Sequence, residues 1–189
     1  MNRQTPPSTP MSKTLDIVLV NPNDVEIGLG EKAEVHRQGW LHRAFSVLLF
    51  NDQGEMLLQQ RAYGKYHCPG LWTNACCSHP KPGEVVEDAA QRRMQEELNF
   101  RTPVEWRFKF EYRAEMVNGL IEHELDHVFS GLAPEELPEP NAEEVQALRW
   151  VELDALKQEI AAHPERFTPW FPLILQQWNE KTLPLAANF

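Results

Sequence analysis

One segment limits the folds open to this chain more than any other. Across residues 84–98, apolar side chains recur at Val86, Ala90, Met94 and Leu98, with Ala89 beside them. Residues four apart share one face of an α-helix, so the series predicts an amphipathic helix whose apolar stripe faces a core. Runs rich in branched and aromatic residues lie on both sides of it. Residues 15–20 read as a first strand that ends in the turn Asn21-Pro22-Asn23-Asp24. Residues 44–50 and 56–60, joined by Asn51-Asp52-Gln53-Gly54, read as a hairpin. After the helix, residues 106–113 and 121–132 read as strands around a turn at Asn118-Gly119, and residues 147–151 as another strand. A helix over 152–162 and a C-terminal helix opened by Pro169-Trp170-Phe171-Pro172 follow; prolines suit a first helical turn. Strands before and after one central helix specify a mixed α/β (α+β) fold, a single compact domain over residues 15–189.

Ahead of it, residues 1–14 hold three prolines among Ser, Thr, Asn and Lys and read as a disordered tail. The formal net charge of -10 argues against nucleic acid or an anionic membrane as partner, but a few basic residues in a cleft could still bind an anionic substrate. No apolar stretch approaches the roughly 18 residues a membrane span needs, and the N-terminus lacks the features of a signal peptide. Three cysteines, two of them adjacent, make a poor disulfide framework and fit a reducing cytoplasm.

Residues 63–83 read as a long loop that carries Trp72-Thr73-Asn74-Ala75-Cys76-Cys77-Ser78-His79-Pro80. If that run is extended, Cys77 and His79 point to the same side and share a pocket wall. Glu122 and Glu124, two apart on an expected strand, also share a side. Alone they describe a solvated face; with His36, His42 and His79 they make a nitrogen/oxygen set suited to a divalent cation. Lys32, Arg61 and Lys65 form a second set, able to converge on a phosphate or diphosphate. The helix itself supplies a third. Its spacing follows the Nudix box, with Glu84, Arg92, Met94, Glu96, Glu97 and Phe100 in register, but Ser78, Arg93 and Asn99 replace a Gly, a Glu and a Gly of that pattern.

Taken together, Leu41-His42-Arg43-Ala44-Phe45-Ser46, Pro69-Gly70-Leu71-Trp72-Thr73-Asn74, Cys77-Ser78-His79-Pro80 and Glu122-His123-Glu124 resemble type I isopentenyl diphosphate isomerase, a Nudix-like family adapted to isomerisation. The resemblance covers everything but the tail and the last residues. It implies conversion of isopentenyl diphosphate to dimethylallyl diphosphate through a tertiary carbocation, by a monomeric enzyme whose partner is a small prenyl diphosphate substrate. It also implies that His36, His42, His79, Glu122 and Glu124 ligate a catalytic divalent metal (Mn2+, Mg2+ or Zn2+), and that Glu97 serves a second, substrate-linked Mg2+. Glu124 is then the proton donor, assisted by Tyr112, and Cys77 takes the second proton as a thiolate favoured by nearby cations. Lys32, Arg61 and Lys65 contact diphosphate, and Trp170, with Trp72 as a second candidate, faces the cation. Cys68 stands where the family has an aromatic, and the interval between His36 and His42 is one residue short. Two other readings compete: a Nudix hydrolase of nucleoside diphosphate derivatives, and a metal-binding or redox-sensing module built on the histidines and the Cys76-Cys77 pair.

Overall fold

A computed structural model describes residues 16–65, 67–116 and 118–182; the tail expected at residues 1–14 lies outside them. The chain runs β1 (Asp16–Val20), β2 (Glu26–Glu31), α1 (Lys32–Gln38), β3 (His42–Phe50), β4 (Met56–Arg61), β5 (Trp72–Asn74), β6 (Cys76–Ser78), α2 (Val86–Leu98), β7 (Glu105–Glu115), β8 (Ile121–Leu132), β9 (Val145–Val151), α3 (Leu153–Ala162) and α4 (Phe171–Thr182), with a short 3-10 turn at Pro164–Arg166. The strands form one mixed sheet, as the strand–helix–strand pattern requires.

At its centre, β3 is buried along nearly its whole length, because both of its faces are covered. It pairs in parallel with β8, from His42 opposite Glu124 to Phe50 opposite Leu132, and antiparallel with β6. Alternation then sorts the side chains into two cores. Phe45, Val47, Leu49, Leu57, Cys76 and Phe129 pack with Ala89, Ala90, Met94 and Leu98 of α2. Leu48, Met56, Leu58, Val128 and Tyr112 face the other way, against Trp170, Phe171 and Ile174 at the start of α4. The apolar stripe of α2 is thus the one anticipated from its spacing.

The expected hairpin is different in the fold. Its turn forms, but β3 and β4 pair only at Phe50 and Met56 and then separate, since β6 and β8 pair with β3 while β5 and β9 pair with β4. The expected loop over 63–83 contains β5 and β6, each three residues long and too short to show a period. Asn74 joins them to the centre of the sheet: fully buried, it donates through Nδ2 to the carbonyls of Val47 (3.2 Å) and Cys76 (2.8 Å). Its motif neighbour Thr73 is fastened to Thr168 ahead of α4 (3.0 Å between hydroxyl oxygens). These bonds fix the strand that presents Cys77.

Two further elements, β2 and α1, had no periodic signal. Gly30 is required where they meet, because a Cβ there would lie 2.5 Å from Val35 Cγ2. Helix α1 is capped by the Glu31 carboxylate and stopped by Gly39 in the left-handed region (φ 64°), whose N–H bonds to Val35 O. Past that stop the His42 ring lies 5.0 Å from that of His36, centroid to centroid. None of the helices among the described residues is long and apolar enough to cross a membrane.

Candidate active site

The polar end of the second core, under α1 and the 61–70 turn, is a cavity of about 230 Å³ lined by Lys32, His36, Arg61, Lys65, His67, Cys77, His79, Arg93, Tyr112, Glu122, Glu124 and Trp170 among others. The groups on regular elements are placed by those elements. Glu122 and Glu124 share the inner face of β8, His42 opens β3 opposite Glu124, and His36 projects from the last turn of α1.

His36, His42, His79 and Glu122 offer ligand atoms that all lie within 4.8 Å of one another. The tautomers of two histidines follow from their partners: a carbonyl only accepts, so His36 Nδ1–H donates to Lys32 O (2.6 Å) and His42 Nδ1–H to Trp40 O (2.8 Å). In the neutral rings each Nε2 then keeps a lone pair aimed inward. His36 Nε2 lies 3.1 Å and His42 Nε2 3.9 Å from Glu122 Oε2, yet all three atoms are buried without a hydrogen bond of good geometry. Lone pairs facing a carboxylate oxygen repel unless a proton or a metal ion lies between them, and a set of three imidazoles and a carboxylate this close together fits a divalent metal ion. Glu124 adds an oxygen at the rim, with Oε1 3.0 Å from His79 Nε2 and 3.6 Å from His42 Nε2.

Its other oxygen, Oε2, accepts from the Tyr112 hydroxyl at 2.6 Å. Burial alone would raise the Glu124 carboxyl, but the imidazoles of His42 and His79 that face it outweigh burial and hold the group well below the usual carboxylate range. Tyr112 is held well above 10 by burial and by the charge of Glu124, which keeps the phenol a donor. On the facing wall Cys77 is pushed up to about 12 by burial, with Arg61 opposing. Without a bound cation it is therefore a thiol. Cys76, one residue away, points into the other core and is fully buried. Adjacent cysteines on opposite faces do not make a sensor pair.

One acidic group lies outside every motif of the sequence. Asp126 continues the Glu122, Glu124 series on β8, is fully buried, and accepts from Ser46 Oγ at 2.9 Å. Burial and the charge of Glu124 raise it well above the usual carboxylate range. The two-residue parity that points to the glutamates points to it as well.

Lys32, Arg61 and Lys65 do converge on the cavity, joined by Arg93, which replaces a box carboxylate. Arg61 also lies over the Trp170 ring, 5.6 Å from its centroid. Trp72 is not part of this wall: its ring carries the Arg149 guanidinium at 4.5 Å. The remaining box residues are engaged in ion pairs. Arg92 grips Glu84 with Nε (2.7 Å) and Nη2 (2.9 Å), Glu96 is shared between Arg92 and Arg93, and buried Glu97 accepts from Arg93 Nη2 (2.6 Å) and Gln59 Nε2 (2.9 Å).

The imidazoles make the metal-free chain sensitive to acid. His67 and His79 are each pushed down to about 4 by burial, well under the ordinary 6.5. Above pH 6.5 both are neutral whether folded or unfolded. Between 6.5 and 4 the unfolded chain binds protons that the folded chain refuses, so stability falls, on the order of 2–3 kcal/mol per group when complete. His127 is lowered too and adds to the loss; His36, raised by Glu122 against its burial, opposes it. Urea unfolding of chelator-treated protein is expected to show a clearly lower midpoint at pH 4.5 than at pH 7.5. Equal midpoints would show that these rings are not held neutral.

The fold and the sequence have known counterparts. Residues 40–171 match the NUDIX domain family. A Deinococcus radiodurans protein of known crystal structure superposes with a TM-score of 0.71 at 19% identity, covering 86% of this chain and 98% of its own. A MutT protein from Methanosarcina mazei gives 0.61 at 16% identity, covering 76% and 96%; at these identities both speak for the fold alone. Sequence relatives are nearer. The isopentenyl-diphosphate Delta-isomerase of Serratia proteamaculans is 46% identical over 176 residues, 91% of this chain and 98% of the relative. That of Photobacterium profundum is 49% identical over 165 residues, covering 85% and 92%. The chain belongs to the isopentenyl-diphosphate Delta-isomerase family, on a Nudix fold.

Proposed function

We propose that this chain converts isopentenyl diphosphate to dimethylallyl diphosphate by adding a proton to the terminal alkene carbon and removing one from the carbon two bonds away. The observation that carries this reading is a thiol and a tyrosine-bound carboxylate, Cys77 and Glu124, lining one cavity beside four cationic side chains. Hydrolysis of a diphosphate has no use for such a pair, and Glu84 and Glu96, which a Nudix hydrolase would turn to metal, are held by arginines.

Lys32, Arg61, Lys65 and Arg93 bind the diphosphate and orient the chain of carbons towards the buried end. A divalent ion (Mn2+, Mg2+ or Zn2+) held by His36, His42, His79, Glu122 and Glu124 supplies positive charge, which makes a proton on Glu124 more acidic and favours the thiolate of Cys77. Glu124 and Cys77 share one transferable proton between them. With the proton on sulfur, as in the metal-free chain, the pair is set for the reverse reaction; with it on Glu124 Oε2, next to Tyr112 Oη, it is set for the forward one. The alkene takes that proton and becomes a tertiary cation, and Cys77 removes a proton from the adjacent methylene. Each forward turnover leaves a proton on sulfur, and exchange with water moves a proton back to Glu124 before the next. The Trp170 face, which already attracts Arg61, stabilises the cation by up to about 2 kcal/mol. Glu97, held here by Arg93 and Gln59, would hold a substrate-linked Mg2+ if Arg93 turned to the anion. Every one of these groups comes from one chain, so the reading needs no second copy, and a catalytic thiol suits a reducing cytoplasm.

The test is incubation of the protein with isopentenyl diphosphate and Mg2+ in deuterated water, followed by NMR. Dimethylallyl diphosphate carrying deuterium in a methyl group is expected. No conversion, together with phosphate release from nucleoside diphosphate derivatives, would move the chain to the hydrolases.

A further inference from the structure

His67 is a further imidazole in the cavity wall, on a turn from which no ligand is expected. Its backbone is fixed from both sides. Arg61 Nε donates to its carbonyl at 3.1 Å, and the next residue, Cys68, adopts φ 46°, a left-handed conformation that residues other than glycine seldom take. The ring is turned inward, with only 6% of the residue exposed, and its centroid lies 4.8 Å from that of His36. It does not face the ligand atoms of the histidine cluster directly. Instead, Nδ1 faces Glu122 Oε1 at 3.5 Å, while Glu122 Oε2 faces His36 and His42. The carboxylate is therefore bracketed, one oxygen on the cluster side and the other on the His67 side.

From this geometry we infer that His67 is a positioning residue for Glu122: its Nδ1, 3.5 Å from Oε1 and so longer than a well-formed hydrogen bond, closes on that oxygen when Oε2 turns to the metal. The inference rests on the reading of the cluster as a metal site and extends it to a residue outside the ligand set. A ligating carboxylate free to rotate about its last bond loses affinity to that motion; a donor on its outer oxygen removes the freedom, and loss of such a partner typically weakens metal binding about 10–100-fold. Because the His67 carbonyl also binds Arg61, one residue links the metal-facing carboxylate to a cation of the anion pocket.

Asparagine and leucine have nearly the same shape, but only asparagine can place an N–H where Nδ1 stands. Mn2+ titrated calorimetrically into chelator-stripped protein is expected to bind His67→Leu about 10–100-fold more weakly than wild type, and His67→Asn within about threefold of it. Wild-type affinity in the leucine variant would overturn the inference, and so would equal weakening in both variants, which is what a packing role predicts. Were the leucine variant unable to fold, loss of affinity in the folded asparagine variant would decide against it. Absence of Mn2+ binding by the wild type removes the metal reading itself, and this inference with it, a result distinct from either variant outcome.

Discussion

Glu124→Gln is expected to lower isomerisation by about 10³–10⁴-fold while the protein stays folded, the upper part of the range for loss of a general acid–base group. The amide matches the carboxylate in shape, so the Tyr112 and His79 contacts at 2.6 and 3.0 Å can be kept in part. What goes is the negative charge that faces His42 and His79, and with it the ability to carry and give up a proton. Both losses act on the same step: the alkene is a very weak base and needs an acid placed beside it in a site without water. Unfolding midpoints and turnover measured on the same preparation separate the chemical loss from a structural one. Activity within tenfold of wild type in the amide variant would leave Glu124 as a metal ligand at most and require another proton donor on that wall.

Much of this site is legible in the amino-acid sequence, and the parts that are not have physical reasons. The central helix shows because burial of one face forces a period, and α2 packs Ala90, Met94 and Leu98 as that period demands. Glu122 and Glu124 show for the same reason on β8. The strands β5 and β6 carry no such signal: at three residues each they hold too few alternations, and their position is fixed by Asn74 and Thr73 through bonds to distant residues. The partners of β3 are likewise invisible locally, since its neighbour β8 lies about eighty residues away along the chain and nothing in residues 42–60 rules out a full hairpin. His67 is the clearest loss. A single histidine in a turn has no period, and its approach to Glu122 depends on the backbone bend at Cys68, which side-chain pattern does not encode. Spacing alone does not assemble His36, His42, His79, Glu122 and Glu124 into one ligand set; resemblance to a family does, and the fold brings those side chains together independently.

Cys76 and Cys77 offer the sharpest separation of packing from chemistry, because neighbours of identical composition should respond in opposite ways. Alanine at 77 is expected to cost about 10²–10⁴-fold in turnover with little change in stability, since the thiol lies at the cavity wall and its loss removes one member of the acid–base pair. Alanine at 76 removes a sulfur fully buried among Phe45, Val47 and the α2 stripe, so it should lower stability by about 1 kcal/mol and leave most of the turnover. The alternation of β6 is what divides the two, sending one side chain to each face of the sheet. Serine at 77 sharpens the contrast: it keeps the size and a hydroxyl hydrogen, but an alkoxide is far harder to form than a thiolate, so if Cys77 acts as a base in the forward reaction, serine should restore little of what alanine loses. Parallel assays of the three variants, with urea midpoints alongside, read both effects at once. Equal loss of turnover at 76 and 77 would mean that the pair matters through strand geometry, and the role given to the Cys77 sulfur would fall.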